Sequence, residues 1–198
     1  MRRLVYFIAS SLDGFIADPE GNDPTGPDGF WPIGEDYVGH LVAEYPETLP
    51  AAARDALGIT GAGRHFDTVV EGRRSYETGL RAGVTDAYPH LRHLVFSTTL
   101  ASPDPSVTVI DSDPVAIIRA LKLERSERDV WLVGGGDIAG ALMSEIDRLI
   151  VKVAPLTIGA GTPLFGRRAE FAPRQWSLAG QTVLPSGTMF LTYDRVPA

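Results

Sequence analysis

The chain has 198 residues, 44% hydrophobic and 22% charged, which is typical of one soluble globular domain with a substantial core. Its formal net charge of −7, without any basic block or stripe, argues against a nucleic-acid binder. The chain contains no cysteine, which excludes disulfides, thiol catalysis and cysteine-ligated zinc. We expect a single domain over 1–198, located in the cytoplasm.

A buried strand is predicted first, over residues 3–9. Its apolar run stops at Ser10 after about six residues, too short for a signal peptide, and no run approaches the length of a membrane span. The stretch 19–34 holds too many glycines and prolines for regular structure. Apolar side chains at helical spacing then predict a helix over 35–45, which Pro46 ends.

The rest of the chain alternates between strands and helices. Further strands are predicted at 67–71, 94–97, 107–110, 130–133 and 149–154, and helices at 50–57, after Asp113 and after Asp137. Asp113 followed by Pro114 is a strong helix start, because it supplies an N-cap and a proline at the first helical position. Only a helical turn is expected after Gly72. Pro185-Ser186-Gly187 lies between two extended stretches and predicts a C-terminal hairpin.

This alternation predicts an α/β fold in three layers, with a mostly parallel central sheet and an antiparallel C-terminal hairpin. Ligands of such sheets bind beyond the carboxyl ends of the strands. Three polar or glycine-rich segments follow predicted strands, at 11–14, 72–75 and 134–137. We therefore expect all three to open onto one crevice.

The segment from Gly134 to Asp137 is the most informative, because a strand there runs through three glycines into a helix. Backbone N–H groups without a nearby Cβ, beside a helix N-terminus, suit a phosphate group. A tight strand-to-helix turn without any ligand explains the same residues. A standard Rossmann domain is rejected, since its fingerprint comes early and is followed by an acidic residue after the next strand.

A second anion subsite is predicted from Arg73 and Arg74, with Ser97 and Thr98 after another strand. Guanidinium groups present paired donors that match phosphate. The alternatives are surface solubility for the arginines and ordinary strand-end capping for the hydroxyls. Two separate anion subsites suit a nicotinamide dinucleotide that carries a 2′-phosphate. The histidines show no nucleophile or metal-ligand spacing, and His93 is expected to be a surface or capping group.

Five segments together resemble the dihydrofolate-reductase-like superfamily, and within it the C-terminal reductase domain of the riboflavin-biosynthesis protein RibD. The segments read IASSLDGFIA from Ile8, DTVVEGRRSYE from Asp67, LVFST from Leu94, VWLVGGGDIAGAL from Val130 and DRLIVKVAPLTIGAGTPLF from Asp147. The resemblance implies the dihydrofolate-reductase-like fold, NADPH as hydride donor, and no metal. The residues that would contact NADPH by this resemblance are Ala9, Ile16, Gly72, Arg73, Arg74, Ser75, Ser97, Thr98, Gly134, Gly135, Gly136, Asp137, Ile138 and Thr162.

The substrate end allows two interpretations. Asp36 lies five residues after Trp31, the spacing by which dihydrofolate reductases place a carboxylate that supports substrate protonation, although an N-cap on its helix is the simpler role. Ser11 and Asp13 belong to an SLDG motif of the riboflavin branch, where Asp13 is either a proton-network residue or part of a tight turn. That branch usually has a lysine where this chain has Phe7, which removes an anchor for a phosphorylated sugar.

The expected function is NADPH-dependent reduction of an imine or carbonyl in a small heterocycle or sugar, similar to 5-amino-6-(5-phosphoribosylamino)uracil reductase. Asp13 and Asp36 are the candidate catalytic residues, and Ser11 and Trp31 the candidate substrate contacts. The alternatives are a dihydrofolate reductase-type activity and a non-catalytic nucleotide-binding module of the same fold. The family often pairs through sheet edges, so a homodimer through the apolar C-terminal hairpin is expected.

Overall fold

The computed structural model describes residues 1–22, 24–25, 29–101, 104–167 and 169–197. Ten strands are present in this part of the chain: β1 Leu4–Ser10, β2 Phe15–Ala17, β3 Phe66–Gly72, β4 Arg92–Phe96, β5 Val107–Ile110, β6 Asp129–Gly134, β7 Ile146–Val153, β8 Thr162–Pro163, β9 Trp176–Val183 and β10 Met189–Arg195. Five α-helices accompany them: α1 Glu35–Glu44, α2 Ala51–Ala56, α3 Arg73–Arg81, α4 Pro114–Leu123 and α5 Gly136–Ala141. A 3₁₀ turn covers Pro46–Thr48.

Eight of the strands form one sheet in the order β5-β4-β3-β6-β1-β7-β10-β9. The first six strands of that order are parallel, whereas β10 pairs antiparallel with both β7 and β9. The predicted parallel sheet with an antiparallel C-terminal hairpin is therefore confirmed. The parallel strands bring the carboxyl ends of β1, β3, β4, β6 and β7 to one edge, which we call the carboxyl edge.

Helices cover both faces of the sheet, because side chains alternate between faces along each strand. On one face, α4 and α5 pack through Ile118, Leu121 and Ala139, all of them buried. On the other face, Tyr37 and Leu41 of α1 join an aromatic cluster with Phe7. These two layers and the sheet give the expected three-layer arrangement.

The predicted helix cap is correct at Asp113 and wrong at Asp36. The Asp113 side chain accepts a hydrogen bond from the Val115 backbone N–H at 3.0 Å, as an N-cap does. At α1 the N-cap is Gly34, and Asp36 lies in the first helical turn. The proposed N-cap role of Asp36 is therefore wrong.

Two parts of the fold were not expected from the sequence. The turn predicted after Gly72 is a nine-residue helix, α3, whose Tyr76 is buried against β4 and β5. In addition, β2 and β8 form a separate two-stranded antiparallel sheet. These strands have three and two residues, so neither has enough sequence for an alternating pattern. No helix in the described part of the chain is long and apolar enough to cross a membrane.

Candidate functional site

The loops after β3 and β6 come together at the carboxyl edge. The register pairs Glu71 with Gly134. A Cβ atom placed on Gly72 would lie 3.2 Å from the Ile138 side chain, and one on Gly134 would lie 4.0 Å from the Ser75 hydroxyl. The structure therefore brings together two segments, 72–75 and 134–138, that the sequence assigned to one anion-binding crevice.

The glycine turn combines an open position with a crowded one. Gly135 has φ +51°, which favours glycine, and a Cβ atom there would meet nothing within 4 Å. A Cβ atom on Gly136 would instead lie 2.5 Å from the Pro163 carbonyl oxygen and 2.6 Å from the Gly166 nitrogen. Gly136 is thus needed for close backbone packing, and Gly135 is the glycine that leaves free space for a ligand.

α5 begins directly after this turn. The first intrahelical hydrogen bond runs from the Ala139 N–H to the Gly135 carbonyl at 3.1 Å, so the N–H groups before Ala139 have no intrahelical acceptor. Asp137 is exposed and Ile138 is half-buried in this first turn. The turn supplies backbone donors beside the open space at Gly135.

Arg73 and Arg74 are both exposed at the start of α3, but their side chains differ in what they bind. The Arg73 guanidinium forms an ion pair with Glu77 at 2.8 Å, one helical turn along α3. No carboxylate lies within 4.0 Å of the Arg74 guanidinium in the described residues. Arg74 is therefore the arginine whose charge remains available to a ligand.

The hydroxyls after β4 contribute less than expected. The Ser97 hydroxyl accepts hydrogen bonds from the backbone N–H groups of Thr99 at 3.2 Å and Leu100 at 3.0 Å. Its side chain closes the local turn, which is the capping role that the sequence left open. Thr98 is exposed at the same edge.

The small sheet links the first and the seventh strands of the main sheet at this edge. Ala17 of β2 pairs with Thr162 of β8, whose hydroxyl donates to the Asp18 carbonyl at 3.1 Å. Ile16 and Ala9 are both half-buried, the latter near the end of β1. By the resemblance, the nicotinamide would lie beside these residues.

Asp13 joins the loop that follows β1 to the loop that follows β7. Its carboxylate accepts hydrogen bonds from the backbone N–H groups of Ile158 at 3.1 Å and Gly159 at 2.7 Å. The Ser11 hydroxyl and these amides lower the pKa of Asp13 below its usual range. Asp13 is therefore an anion at neutral pH, and its observed contacts hold the 154–161 loop.

Asp36 performs a similar task at the substrate end. Its carboxylate accepts from the Ser186 N–H at 2.7 Å and from the Tyr37 N–H at 2.8 Å, which connects α1 to the β9–β10 turn. The backbone N–H of Ser186 is the main reason that the pKa of Asp36 is lowered. A cavity of about 230 Å³ adjoins this contact, lined by Pro32, Ile33, Gly34, Pro155, Ser186 and Thr188.

The two predicted substrate contacts are both largely enclosed by the protein. Trp31 is buried, and its ring lies 5.9 Å from that of Phe30. Ser11 is also buried, and its hydroxyl accepts from the Phe15 N–H at 3.0 Å. In this structure Ser11 holds the turn after β1, and Trp31 packs in the segment that precedes α1. Their contact with a substrate remains a prediction.

The sequence analysis assigned no role to Lys152, near the carboxyl edge, and missed the burial of His93, near the amino end of β4. Lys152 of β7 places its ammonium 4.3 Å from the centre of the Phe7 ring. Phe7 stands where the riboflavin branch usually has a lysine, so Lys152 supplies a positive charge near that position. His93 is buried, which corrects its expected surface location, and its ring nitrogens lie 2.8 Å from Glu71 and from Asp86. No motif gives either group a role, since its partners come from other strands and loops.

Burial opposes the charging of His93, but the hydrogen bonds to Glu71 and Asp86 outweigh it and raise the pKa of His93. The ring therefore binds its proton more strongly than a free imidazole does, and it lies between two carboxylates with Tyr76 of α3 against it. The described residues contain no cluster of histidine, aspartate and glutamate arranged to hold a metal ion.

The fold defines a class of protein, a three-layer α/β domain with a mostly parallel central sheet and an antiparallel C-terminal hairpin. The sequence model of the RibD C-terminal domain matches residues 2–190, so the chain belongs to the RibD C-terminal domain family. The recognition made from the sequence motifs is confirmed.

Individual relatives agree with this assignment. A Bacillus subtilis (strain 168) protein named YwjB, itself uncharacterised, is 29% identical over 170 residues, with 83% of each chain covered. A Shewanella sp. PV-4 crystal structure, provisionally named a riboflavin biosynthesis protein, aligns over 100% of both chains with a TM-score of 0.71 and 24% identity. A pyrimidine reductase-like protein from Corynebacterium diphtheriae aligns over 100% of this chain and 93% of its own, with a TM-score of 0.61 and 16% identity. At these identities the two structures show the shared fold.

Proposed function

We propose that the protein is an NADPH-dependent reductase of an imine or carbonyl group in a small heterocycle or sugar. Membership of the RibD C-terminal domain family supports this class of reaction. The hydride chemistry would belong to NADPH, and the protein would bind and orient it. The observation that carries the proposal is the meeting of segments 72–75 and 134–138, with open space at Gly135 and with an Arg74 guanidinium that has no carboxylate partner in the described part of the chain.

Charges at the site support separate roles for its two ends. Gly135 and the first turn of α5 would receive the pyrophosphate, because backbone N–H groups there lack intrahelical acceptors. Arg74 would bind the 2′-phosphate through a charge-assisted contact. Asp13 and Asp36 are anions held by backbone amides, so they would orient loops and supply negative charge near the substrate.

The first experiment is a fluorescence titration of the protein with NADPH and with NADH. We expect NADPH to bind more tightly, and Arg74→Ala to weaken NADPH by about 1.5–3 kcal/mol while NADH changes little. Arg125→Ala is the matched control, because Arg125 is exposed at the opposite edge of the sheet, beside a shallow cleft of about 550 Å³. Equal loss of both nucleotides in Arg74→Ala would show that Arg74 does not read the 2′-phosphate. If the wild type binds neither nucleotide, the reductase proposal is wrong.

A second candidate is a nucleotide-binding module without turnover. It is favoured by the contacts of Asp13 and Asp36, since each carboxylate already accepts backbone hydrogen bonds and has a lowered pKa. Incubation with NADPH and either dihydrofolate or the riboflavin-pathway aminopyrimidine separates the candidates. Oxidation of NADPH by one of these substrates supports the reductase. Tight NADPH binding with no oxidation across a panel of carbonyls and imines supports the module.

We also propose that two copies pair through β9. This strand forms one edge of the sheet, and its Leu178 and Val183 side chains are 52% and 63% exposed. An eight-residue edge with apolar side chains favours pairing with another strand. Sedimentation of Leu178→Glu should show a monomer where the wild type shows a dimer, and a monomeric wild type would refute the pairing.

A further inference from the structure

The chain has two lysines, Lys122 and Lys152, and they differ in how their charges are compensated. Lys122 is buried, and its ammonium lies 2.7 Å from the Asp147 carboxylate. Within the described residues no carboxylate lies within 4.0 Å of the Lys152 ammonium. Lys152 is thus a half-buried cation without an ionic partner.

Aromatic rings hold the Lys152 ammonium in place. It lies 4.3 Å from the centre of the Phe7 ring and 5.8 Å from that of Tyr37. Ring faces attract a cation through their quadrupole but carry no net charge. The contact therefore fixes the position of the ammonium and leaves its positive charge uncompensated.

Lys152 lies next to Ala9, one of the residues that the resemblance assigns to NADPH. Its register partner on β1 is Ala9, and its partner on β10 is the buried Phe190. Partner residues of adjacent strands point to the same face, about 4.8 Å apart. Ala9 and Lys152 are both half-buried, and the side chain of Ala9 is only a methyl group.

A charge removed from water without a partner is unfavourable, so charged side chains are seldom buried unless paired. An anion entering beside Ala9 would supply the missing partner. We propose that Lys152 binds an anionic group of the substrate, a carboxylate or a phosphate, and so selects substrates that carry one. The role as a substrate site rests on the reductase proposed above, whereas the binding of an anion at Lys152 does not.

The two lysines make a direct measurement practical. In protein labelled with carbon-13 lysine, only two side chains give ε-methylene signals, and Lys152→Arg identifies which one is Lys152. The NADPH-saturated protein and the nucleotide-free protein are each titrated with benzoate, phenyl phosphate and benzamide. We expect benzoate or phenyl phosphate to shift the Lys152 signal saturably and to leave the Lys122 signal unchanged. Benzamide, the neutral analogue of benzoate, should not shift it.

The benzoate and phenyl phosphate titrations separate the two anion chemistries, since the preferred probe shows the lower dissociation constant. Isothermal titration calorimetry, which does not depend on the Lys152 signal, should show that Lys152→Gln weakens that probe by roughly tenfold or more, because a charge-assisted contact is lost. Lys152→Arg keeps the charge and should retain most of the affinity. NADPH affinity should stay the same in all three proteins, which also shows that the variants are folded.

Three results would overturn the proposal: no shift with either anion, an equal shift with benzamide, or unchanged anion binding in Lys152→Gln. Failure of the reductase proposal looks different. In that case NADPH does not bind the wild type, while the anions still shift the Lys152 signal in the nucleotide-free protein.

Discussion

Charges at the two edges of the sheet are compensated in different ways. At the amino edge, where the parallel strands begin, Arg2 binds Asp67 and Glu124, Lys122 binds Asp147, and further pairs surround them. At the carboxyl edge, Arg74 and Lys152 have no carboxylate partner in the described residues, and Asp13 and Asp36 are held by backbone amides.

The difference separates charged side chains that stabilise the fold from charged side chains that can bind a ligand. Ion pairs at the amino edge compensate one another and hold strand ends together. At the carboxyl edge the cations would gain partners only from an anion, as a nucleotide phosphate or a substrate carboxylate provides. The comparison predicts that substitutions at the amino edge change stability and that substitutions of the cations at the carboxyl edge change binding.

The largest expected effect is at Arg2. Its side chain is 3% exposed and also donates to the Thr68 hydroxyl at 2.9 Å. Arg2→Ala removes a buried side chain together with its bonds to two carboxylates and to the buried Thr68 hydroxyl, so we expect the free energy of unfolding to fall by about 3 kcal/mol. Urea unfolding of Arg2→Ala and of the exposed control Arg125→Ala measures this. A loss below about 1 kcal/mol would show that the amino edge is not structurally important.

The next effect concerns backbone packing at the carboxyl edge. Gly136→Ala introduces a Cβ atom 2.5 Å from the Pro163 carbonyl oxygen, and we expect a loss of about 2 kcal/mol in the free energy of unfolding. Gly39→Ala is the matched control, because a Cβ atom on this glycine of α1 meets nothing within 4 Å. It should stabilise the protein by about 0.5–1 kcal/mol, since alanine favours helix. Similar results for both variants would contradict the close packing at Gly136.

His93, near the amino end of β4, tests whether a buried titratable group is compensated within the protein. Its pKa is raised by Glu71 and Asp86, so its contribution to stability is complete below the unfolded pKa of about 6.5. That contribution is lost as the pH rises through the folded pKa, because the native state then releases its extra proton. Urea unfolding of the wild type and His93→Gln, from pH 6 to pH 9, should show a difference that shrinks with pH. A difference that grows with pH would mean that the native ring is neutral.

The smallest expected effect is at the ion pair between Arg73 and Glu77. Glu77→Gln removes an exposed ion pair, which is worth about 0.3–0.5 kcal/mol in a helix. If Arg73 can then turn toward the bound 2′-phosphate, NADPH affinity should rise by a similar amount and NADH affinity should not change. Fluorescence titration of both nucleotides measures this, with Arg73→Ala in the Glu77→Gln background as the control that should remove the gain.

The sequence alone determined the order of strands and helices, the hairpin, and the family, because periodicity, proline and glycine signals and motif spacing are local properties of the chain. It also predicted that Gly72, Arg74 and Gly135 lie at the same edge of the sheet, since parallel strands must end there, and the structure brings their two segments together. The sequence predicted only a helical turn where the nine-residue helix α3 forms. Tyr76 of this helix packs against β4 and β5, and the local sequence does not reveal that contact.

Only the tertiary structure shows which charged side chains at the carboxyl edge have an ionic partner among the described residues. Arg73 and Arg74 are neighbours in the sequence, yet only the fold shows that Glu77 occupies the first of them. The same holds for Lys152, whose aromatic partners Phe7 and Tyr37 lie more than a hundred residues away in the chain. Charge compensation depends on distances between side chains from separate elements, and such distances exist only after the strands have paired.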